Sequence, residues 1–443
     1  MRRTGCRLEG VGCRLWARLK ALHAGQESGG LQPTAYSLQP AFLLAPALLL
    51  LVTPLQPSAP LSALWTFPAV LLASLLLAWA AESAQFFVAQ GLALALLAWL
   101  QTAPEFAVEA VIAWKQRTDL MIANLTGALR LLTGLGWPMI YFTAAAVHRR
   151  RSRQPLHGIE LDREHAIEVV ALIPPIFYFC FVWWKSRLEL YDGVVLAGFY
   201  VLYLWIVRKM PHREEELIEE LELVPRKIMR TRPPFRSIII LGLFAAGGAL
   251  IFAVAEPFLA SMLAIALSLG VPSFVFVQWV APFLSEFPEK VSAFYWARTV
   301  SKAPVALMNL VSSNINQWTM LPALLPVVYS LSLGRVAAIP FGGRQELEIL
   351  MTIGQALVAV MLLMNMNLAW WEAGGLFLLW AFQFALSPFQ RFEWVHRAVT
   401  AAYFFWFFIE VVKNLNGRRN WRAIRIFVEL LRQSKVQSPR SKV

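Results

Sequence analysis

Apolar runs long enough to cross a bilayer recur along the chain, separated by short polar segments. A run of about 20 apolar residues spans the hydrocarbon layer as a helix. Of the 443 residues, 58% are hydrophobic and only 15% are charged, which is typical of a membrane protein rather than a soluble domain. The sequence therefore predicts an all-α fold, a polytopic bundle of transmembrane helices.

The hydropathy of the chain predicts twelve spans. Two of them, 84–114 and 258–298, are too long for one straight crossing, so we expect breaks at Pro104 and Pro288. The other spans are 41–56, 61–81, 120–147, 166–184, 189–207, 236–256, 305–333, 347–367, 369–387 and 397–413.

The distribution of basic residues predicts the orientation. Twelve crossings place both termini on one side, together with the loops 148–165, 208–236 and 298–304. That side carries 30 of the 40 Lys and Arg residues, whereas the opposite loops carry eight. Because cytoplasmic loops are enriched in Lys and Arg, we expect both termini in the cytoplasm of a multi-pass protein of the plasma membrane or the bacterial inner membrane.

Several other classes of function find no support in the sequence. The net charge of +13 comes from segments between apolar runs, so it indicates topology rather than nucleic-acid binding. The 3 cysteines form no even disulfide framework, and the 6 histidines show no metal-ligand spacing. The chain has no phosphate-binding loop, dinucleotide fingerprint or nucleophile elbow. We therefore expect neither an enzyme nor a bound cofactor.

One pattern occurs twice and places carboxylates where the hydropathy predicts lipid depth. In each copy a Pro-Glu pair is followed by an Asn, 19 residues on from Glu105 to Asn124 and 20 residues on from Glu289 to Asn309. Charged side chains inside a membrane are costly and mark functional sites. Two matching copies in two halves predict one duplicated binding centre.

The residues around both copies resemble the alpha repeats of the sodium/calcium exchanger family, within the cation/calcium exchanger superfamily. The repeats of that family read roughly G-T-S-x-P-E followed by N-x-x-G-S-N. The second copy, LSLGVPSFVFVQWVAPFLSEFPE, follows the family spacing without a gap, and Glu256 falls at the position of an early acidic residue. The resemblance covers residues 61–387.

This resemblance implies two inverted five-helix repeats with one added helix at each end. The expected division is a basic cytoplasmic N-tail at 1–40, an extra N-terminal helix at 41–60, the first repeat half at 61–207, a cytoplasmic linker at 208–235, the second repeat half at 236–387, an extra C-terminal helix at 388–413 and a basic cytoplasmic C-tail at 414–443.

The resemblance also implies an activity, the movement of calcium or a related cation against a sodium or proton gradient by alternating access. The partners would be small inorganic cations and the lipid bilayer. Two facing carboxylates could neutralise a divalent cation while amide and hydroxyl oxygens fill its shell. The family implies Glu105 and Glu289 as the central, metal-binding carboxylates. The neighbouring oxygen donors would be Thr102, Asn124, Ser285, Asn309, Ser313 and Asn314.

Glu286 and Lys290 are two further charges beside the second carboxylate, and we count Glu286 among the cation-binding candidates. Lys290 follows Glu286 by four residues, a spacing suited to an ion pair. In one interpretation Lys290 neutralises Glu286 and leaves Glu289 for the cation. In another its charge disfavours a divalent ion and permits proton or monovalent coupling. In a third, both are structural partners facing a water-filled cavity.

Both copies lack the glycine of G-T-S, having Leu-Gln-Thr at 100–102 and Leu-Ser-Glu at 284–286. Because glycine allows close backbone approach, this departure weakens the case for backbone ligands to sodium. It favours a second hypothesis, a diverged membrane scaffold or sensor that keeps the exchanger fold without transport. A minor third hypothesis is an intramembrane enzyme that uses Glu286 and Glu289 as an acid pair.

Overall fold

The structure is a computed structural model that describes residues 60–87, 102–209, 221, 223–387, 393–417 and 421–437. The expected N-tail at 1–40 and the span expected at 41–56 lie outside the described residues. Of the linker expected at 208–235, residues 210–220 and 222 also lie outside them.

Helices dominate the described residues, in agreement with the predicted fold class. In the first half they are α1 (Ala63–Ala84), α2 (Ala103–Trp114), α3 (Thr118–Leu131), α4 (Trp137–Ser152), α5 (Ala166–Ala171), α6 (Ile173–Trp184) and α7 (Leu190–Arg208). Then follow α8 (Leu223–Met229), α9 (Pro233–Ser268), α10 (Ser273–Ser285), α11 (Phe287–Ala297), α12 (Ala303–Leu333), α13 (Gly343–Leu363), α14 (Trp370–Leu386), α15 (Glu393–Leu415) and α16 (Arg422–Gln437).

Short 3-10 turns and one π-helical segment join some of these helices. The 3-10 turns are Pro60–Ser62, Gln85–Phe87, Arg163–His165 and Val300–Lys302, and the π segment is Leu132–Gly136, between α3 and α4. The segments long and apolar enough to cross a membrane, among the described residues, are Pro60–Ala84, Arg163–Trp184, Leu190–Arg208, Pro233–Ser268, Gly343–Leu363 and Trp394–Leu415.

Prolines mark the starts of several helices. A proline occupies the first or second position of α2, α4, α6, α9, α11 and α12. The N–H groups of the first helical turn have no intrahelical partner, so proline is tolerated there, and its fixed φ suits a helix start. The expected break at Pro104 lies at such a start, because α2 begins at Ala103.

The spans predicted at 236–256 and 258–298 have wrong boundaries. α9 runs without interruption from Pro233 to Ser268, with Pro257 inside it, and the turn comes later, at Gly270, whose φ is +64°. Pro257 does not end the helix, since neighbouring groups can compensate for one missing hydrogen bond in a membrane helix. The break expected at Pro288 lies at Glu286, between α10 and α11, because Pro288 takes the second position of α11.

Two short antiparallel strand pairs mark opposite ends of the bundle. β1 (Gly158–Glu160) pairs with β4 (Asn367–Ala369), and β2 (Arg187–Leu188) pairs with β3 (Ile339–Pro340). These pairings join loops and leave the all-α class unchanged. We call the two ends of the molecule the β1–β4 end and the β2–β3 end.

α12 passes through the centre of the bundle and packs against α2, α3, α7 and α11. Its buried residues include a polar series over Asn309–Thr319, where a soluble core would be apolar. α9 packs along α1, and Gly247 lies in this contact, where an added Cβ would lie 2.9 Å from Leu77 Cγ. The first helix of each predicted half therefore contacts the other.

The C-terminal part contains two helices beyond residue 387. The extra helix predicted at 397–413 is present as α15, which packs against α13. The segment predicted as a basic tail at 414–443 contains a further helix, α16, which packs on α5 and on the turn before it.

Candidate cation-binding site

Two helices begin inside the bundle with the same local pattern. The first three residues of α2 are Ala-Pro-Glu, after Thr102, and the glutamate is Glu105. The first three residues of α11 are Phe-Pro-Glu, after Glu286, and the glutamate is Glu289. Each glutamate is the third residue of its helix, where the positive end of the helix dipole favours a carboxylate. Glu105, Glu286 and Glu289 are each no more than 1% exposed.

The two helices run in opposite directions. α2 leads to the start of α3, where Gln116 Nε2 donates a hydrogen bond to Ser332 Oγ near the β2–β3 end. α11 leads to the start of α12, at the β1–β4 end. The N-terminal ends of two oppositely directed half-helices therefore meet inside the bundle, an arrangement with which many secondary transporters form ion sites.

Gln317 of α12 joins the two copies of the pattern. Its Nε2 donates to Glu105 Oε2 at 2.9 Å and to Glu286 Oε1 at 2.6 Å. Gln317 lies 14 residues after Ala303, about 21 Å along the helix axis at 1.5 Å per residue, which is close to the middle of α12. One amide thus links a carboxylate of the first half with a carboxylate of the second.

The two carboxylates of the second copy, Glu286 and Glu289, each accept a hydrogen bond from a further side chain. Ser313 Oγ donates to Glu289 Oε1, and Lys290 Nζ donates to Glu286 Oε2. The ion pair suggested by the spacing of Glu286 and Lys290 is therefore present. Lys290 is 5% exposed, so the pair is buried within the protein.

The other candidate residues lie around this centre with different partners. Thr102 Oγ1 accepts a hydrogen bond from Asn316 Nδ2, which ties the start of α2 to α12. Asn314 Nδ2 donates to Thr133 Oγ1 at 3.3 Å. Ser285 Oγ donates back to the Ala281 carbonyl of its own helix at 2.9 Å.

The two asparagines that repeat in sequence occupy different positions. Asn124 lies against the carboxylate of Glu109, one turn after Glu105 on α2. Asn309 is buried on α12, one turn before Ser313. Asn124, Ser285 and Asn314 make these contacts with groups other than Glu105 and Glu289. The role of these three residues and of Asn309 as cation ligands stays a prediction.

Buried oxygen atoms without a hydrogen-bond partner lie in this centre. They are Glu105 Oε1, Glu289 Oε2, Gln317 Oε1 and Asn314 Oδ1. A buried acceptor without a donor is costly, so such atoms indicate a place where a cation or its water would supply the missing interaction. Within the described ranges, no cluster of three or more His, Cys, Asp or Glu side chains has a geometry that could hold a metal ion. A cation here would therefore need amide, hydroxyl or water oxygens besides the carboxylates.

The sequence analysis did not identify Gln317, Asn316 or Glu109. Helical spacing could have drawn attention to Gln317, because Asn309, Ser313 and Gln317 recur every four residues on one face of α12, but it gives no signal for Asn316. The same spacing places Glu109 four residues after Glu105 on α2.

A sequence model of the family described as sodium/calcium exchanger protein matches residues 58–209 and 239–387. The chain belongs to the sodium/calcium exchanger family. The two matched ranges contain both Pro-Glu pairs and all candidate ligands, whereas α15 and α16 lie outside them. Among curated proteins, none gives a significant match to the chain.

Solved exchanger structures share the fold. The H+/Ca2+ exchanger CAX is 29% identical, with a TM-score of 0.77 over 90% of this chain and 95% of its own. The structure of native YfkE is 14% identical, with a TM-score of 0.54 over 84% of this chain and 99% of its own. The sodium-calcium exchanger NCX_Mj is 20% identical, with a TM-score of 0.50 over 74% of this chain and 98% of its own. The similarity to CAX thus extends over nearly the whole chain and includes the helical bundle.

Proposed function

We propose that this exchanger family member is an integral membrane antiporter that moves calcium or a related cation against a proton or sodium gradient. The observation that carries the proposal is that Glu105 and Glu289 are both buried at the starts of two oppositely directed half-helices, with one carboxylate oxygen of each lacking a partner. A hard divalent cation prefers such oxygen ligands.

Of the two possible counter-ions, the proton is favoured by the greater similarity of this chain to a proton-coupled exchanger. The structure named an H+/Ca2+ exchanger is 29% identical to this chain with a TM-score of 0.77, whereas the sodium-calcium exchanger structure is 20% identical with a TM-score of 0.50. The missing G-T-S glycines also argue against backbone ligands to sodium.

In the proposed site, Glu105 and Glu289 bind the cation. Gln317 and Ser313 hold those two carboxylates in place and can offer further oxygens. Lys290 neutralises Glu286, so that the charge left for the cation is that of the Glu105 and Glu289 pair. The remaining candidate donors are Thr102, Asn124, Ser285, Asn309 and Asn314.

Alternating access would come from movement of α1 and α9 past the rest of the bundle. The two helices pack against each other, and Thr66 Oγ1 and Ser261 Oγ lie 2.8 Å apart between them. Neither helix takes part in the strand pairings of the two ends. They can therefore shift as a pair without breaking those backbone hydrogen bonds.

Calcium uptake into proteoliposomes tests the proposal. Purified protein is measured under an outward proton gradient and, separately, an outward sodium gradient. We expect uptake with one gradient and its loss in Glu105→Gln and Glu289→Gln, while the surface variant Glu429→Gln keeps it. Uptake unchanged in both site variants would refute the assigned site.

The second candidate, a non-transporting scaffold or sensor, is favoured by the buried Lys290 ammonium beside the carboxylates. A fixed internal cation can replace a transported one electrostatically. Folded wild-type protein that carries no cation under either gradient, but retains protein partners on purification, would support this candidate over transport.

We also propose the expected division and orientation of the chain. The halves are 61–207 and 236–387, flanked by added helices, with both termini in the cytoplasm of a cell membrane. Many basic residues support this, including Arg149–Arg151 at the last turn of α4 near the β1–β4 end. Labelling of single cysteines by an impermeant maleimide in intact cells checks the orientation. Labelling of a cysteine at position 432 from outside would show that the C-terminus is not cytoplasmic.

A further inference from the structure

The C-terminal helix α16 has three distinct faces. At 3.6 residues per turn, Ala423, Ile426 and Leu430 fall on one face, and all three are buried against the protein. Arg422, Arg425, Glu429 and Arg432 lie on a second, exposed face.

Between these two faces lies an apolar flank, formed by Ile424, Phe427, Val428 and Leu431. Val428 is 39% exposed and Leu431 is partly exposed, whereas Ile424 and Phe427 pack against the hydrophobic core and are also partly exposed. Contact with the protein therefore covers only part of this flank, and the rest of its apolar surface stays exposed.

The contacts of α16 place it at the level of the helix ends. Its Ala423 N–H donates to the carbonyl of Met364, just after α13 ends, at 2.9 Å. Glu429 pairs with Arg163, at the start of the turn before α5, with 2.6 Å between Arg163 Nη2 and Glu429 Oε2. Both contacts lie at the β1–β4 end of the bundle.

Exposed tryptophans mark the same level. Trp370 is 59% exposed and Trp371 39% exposed at the start of α14, and Trp421 is 36% exposed just before α16. Tryptophan is enriched at the boundary between hydrocarbon and headgroups. An apolar flank beside an arginine face, at this level, is the pattern of a helix lying in a membrane interface.

We infer that α16 lies in the membrane interface with its apolar flank in the bilayer and that Arg425 and Arg432 bind the phosphates of anionic lipids. Anionic lipids are inferred because the exposed face of α16 has a net positive charge. The exposed face carries three arginines and one glutamate, and that glutamate is engaged by Arg163. This interaction is independent of cation transport and of the residues matched by the family.

Spin labelling tests the position of the flank. In the full chain with its 3 native cysteines replaced by serine, a nitroxide is placed at Val428→Cys and, as the matched control, at Gln433→Cys on the exposed face. In liposomes, the label at 428 should collide more often with oxygen and the label at 433 more often with a water-soluble nickel chelate. Equal accessibility of both labels to the nickel chelate would place the flank in water and overturn the inference.

Lipid retention tests the arginines. The full chain is purified from mixed phosphatidylglycerol and phosphatidylcholine vesicles, and the bound lipid is quantified. A basic residue near an anionic surface contributes about 1 kcal/mol, so each loss should weaken phosphatidylglycerol binding about fivefold. We therefore expect the double variant Arg425→Gln/Arg432→Gln to lose the enrichment of phosphatidylglycerol.

The matched control removes the same charge at the other end of the bundle. Arg335 and Arg344 are exposed near the β2–β3 end, and the double variant Arg335→Gln/Arg344→Gln should keep the enrichment. Enrichment that survives in the α16 variant, or falls equally in both variants, would contradict specific binding by Arg425 and Arg432.

Discussion

At the scale of single residues, Gln317 joins carboxylates of the two halves. Its amide touches Glu105 from the first half and Glu286 from the second, and no apolar side chain could replace either hydrogen bond. Residues that orient ligating carboxylates influence metal affinity without being charged themselves.

Replacement of this amide is the first prediction. Gln317→Leu should raise the cation concentration needed for half-maximal transport about 10- to 100-fold, because Glu105 and Glu286 lose their shared donor. Calcium uptake into proteoliposomes measures the change. Gln383→Leu, an equally buried amide on α14, is the control and should leave that concentration unchanged.

The Lys290 ammonium gives the second prediction. Lys290→Met leaves the Glu286 carboxylate buried without its ion-pair partner, which costs about 3–5 kcal/mol for a buried pair. The variant should unfold at lower temperature, and the double variant Lys290→Met/Glu286→Gln should recover most of the loss. Thermal unfolding in detergent measures both, and a double variant no more stable than the single one would contradict neutralisation of Glu286 by Lys290.

The sequence predicted the buried carboxylates of the site but not the amides that contact them. Glu105 and Glu289 stand out because a carboxylate in an apolar run is costly, and both are buried at helix starts as a functional pair requires. Gln317 shares the helical spacing of Asn309 and Ser313, but an amide carries no charge, and the importance of Gln317 and Asn316 depends on which side chains they reach. The distance between an amide of α12 and a side chain of another helix is set by how α12 packs, which a single sequence does not specify.

At the scale of secondary-structure elements, the contact of α3 with α10 is unusually close. A Cβ added to Gly127 would lie 1.8 Å from the Gln278 carbonyl oxygen, a separation no real side chain adopts. Glycine at this position lets a helix of the first half approach a helix of the second at backbone distance.

The third prediction follows from this contact. Gly127→Ala should push α10 away from α3 and destabilise the protein by about 1–3 kcal/mol, the usual range for overpacking. The expected readouts are a lower unfolding temperature and slower calcium uptake, because α10 leads directly into Glu286. Gly248→Ala on α9 meets nothing within 4 Å and serves as the control, and equal effects of both changes would rule out the contact as the cause.

The helix boundaries show what sequence patterns can and cannot predict. Hydropathy predicts the existence of each described span, because apolar length is a local property. It places a boundary at Pro257 wrongly, since the cost of a proline inside a helix depends on the neighbours that compensate for it. The break at Glu286 rather than Pro288 has a local reason, because proline fits the first turn of the following helix.

At the scale of the whole molecule, a buried polar cluster joins both halves and the added helix α15. Arg130 Nη2 lies 2.7 Å from Glu348 Oε2, and Gln278 Nε2 donates to the same oxygen at 3.0 Å. His396 Nε2, from α15, lies 3.3 Å from Glu348 Oε1. The cluster brings together α3, α10, α13 and α15.

The fourth prediction concerns this cluster. Glu348→Gln leaves the Arg130 guanidinium buried without a counter-charge and should cost about 3–5 kcal/mol of stability. Glu429→Gln breaks an exposed pair of the same type and should cost no more than about 1 kcal/mol. Thermal unfolding of the two variants gives the comparison, and similar losses would mean that the buried pair is not a main tie between the halves.

The strand pairs at the two ends also constrain how the chain folds. Gly158 pairs with Ala369, and Arg187 pairs with Pro340, so each pair joins a loop made early in synthesis to a loop made much later. Contacts between residues so distant in sequence form late, since the intervening chain must be ordered first. The first half therefore enters the membrane with β1 and β2 unpaired, and these strands can pair only after the second half has been inserted. A ribosome that stalls between residues 210 and 330 leaves a membrane protein with two open backbone edges, each available to a wrong partner.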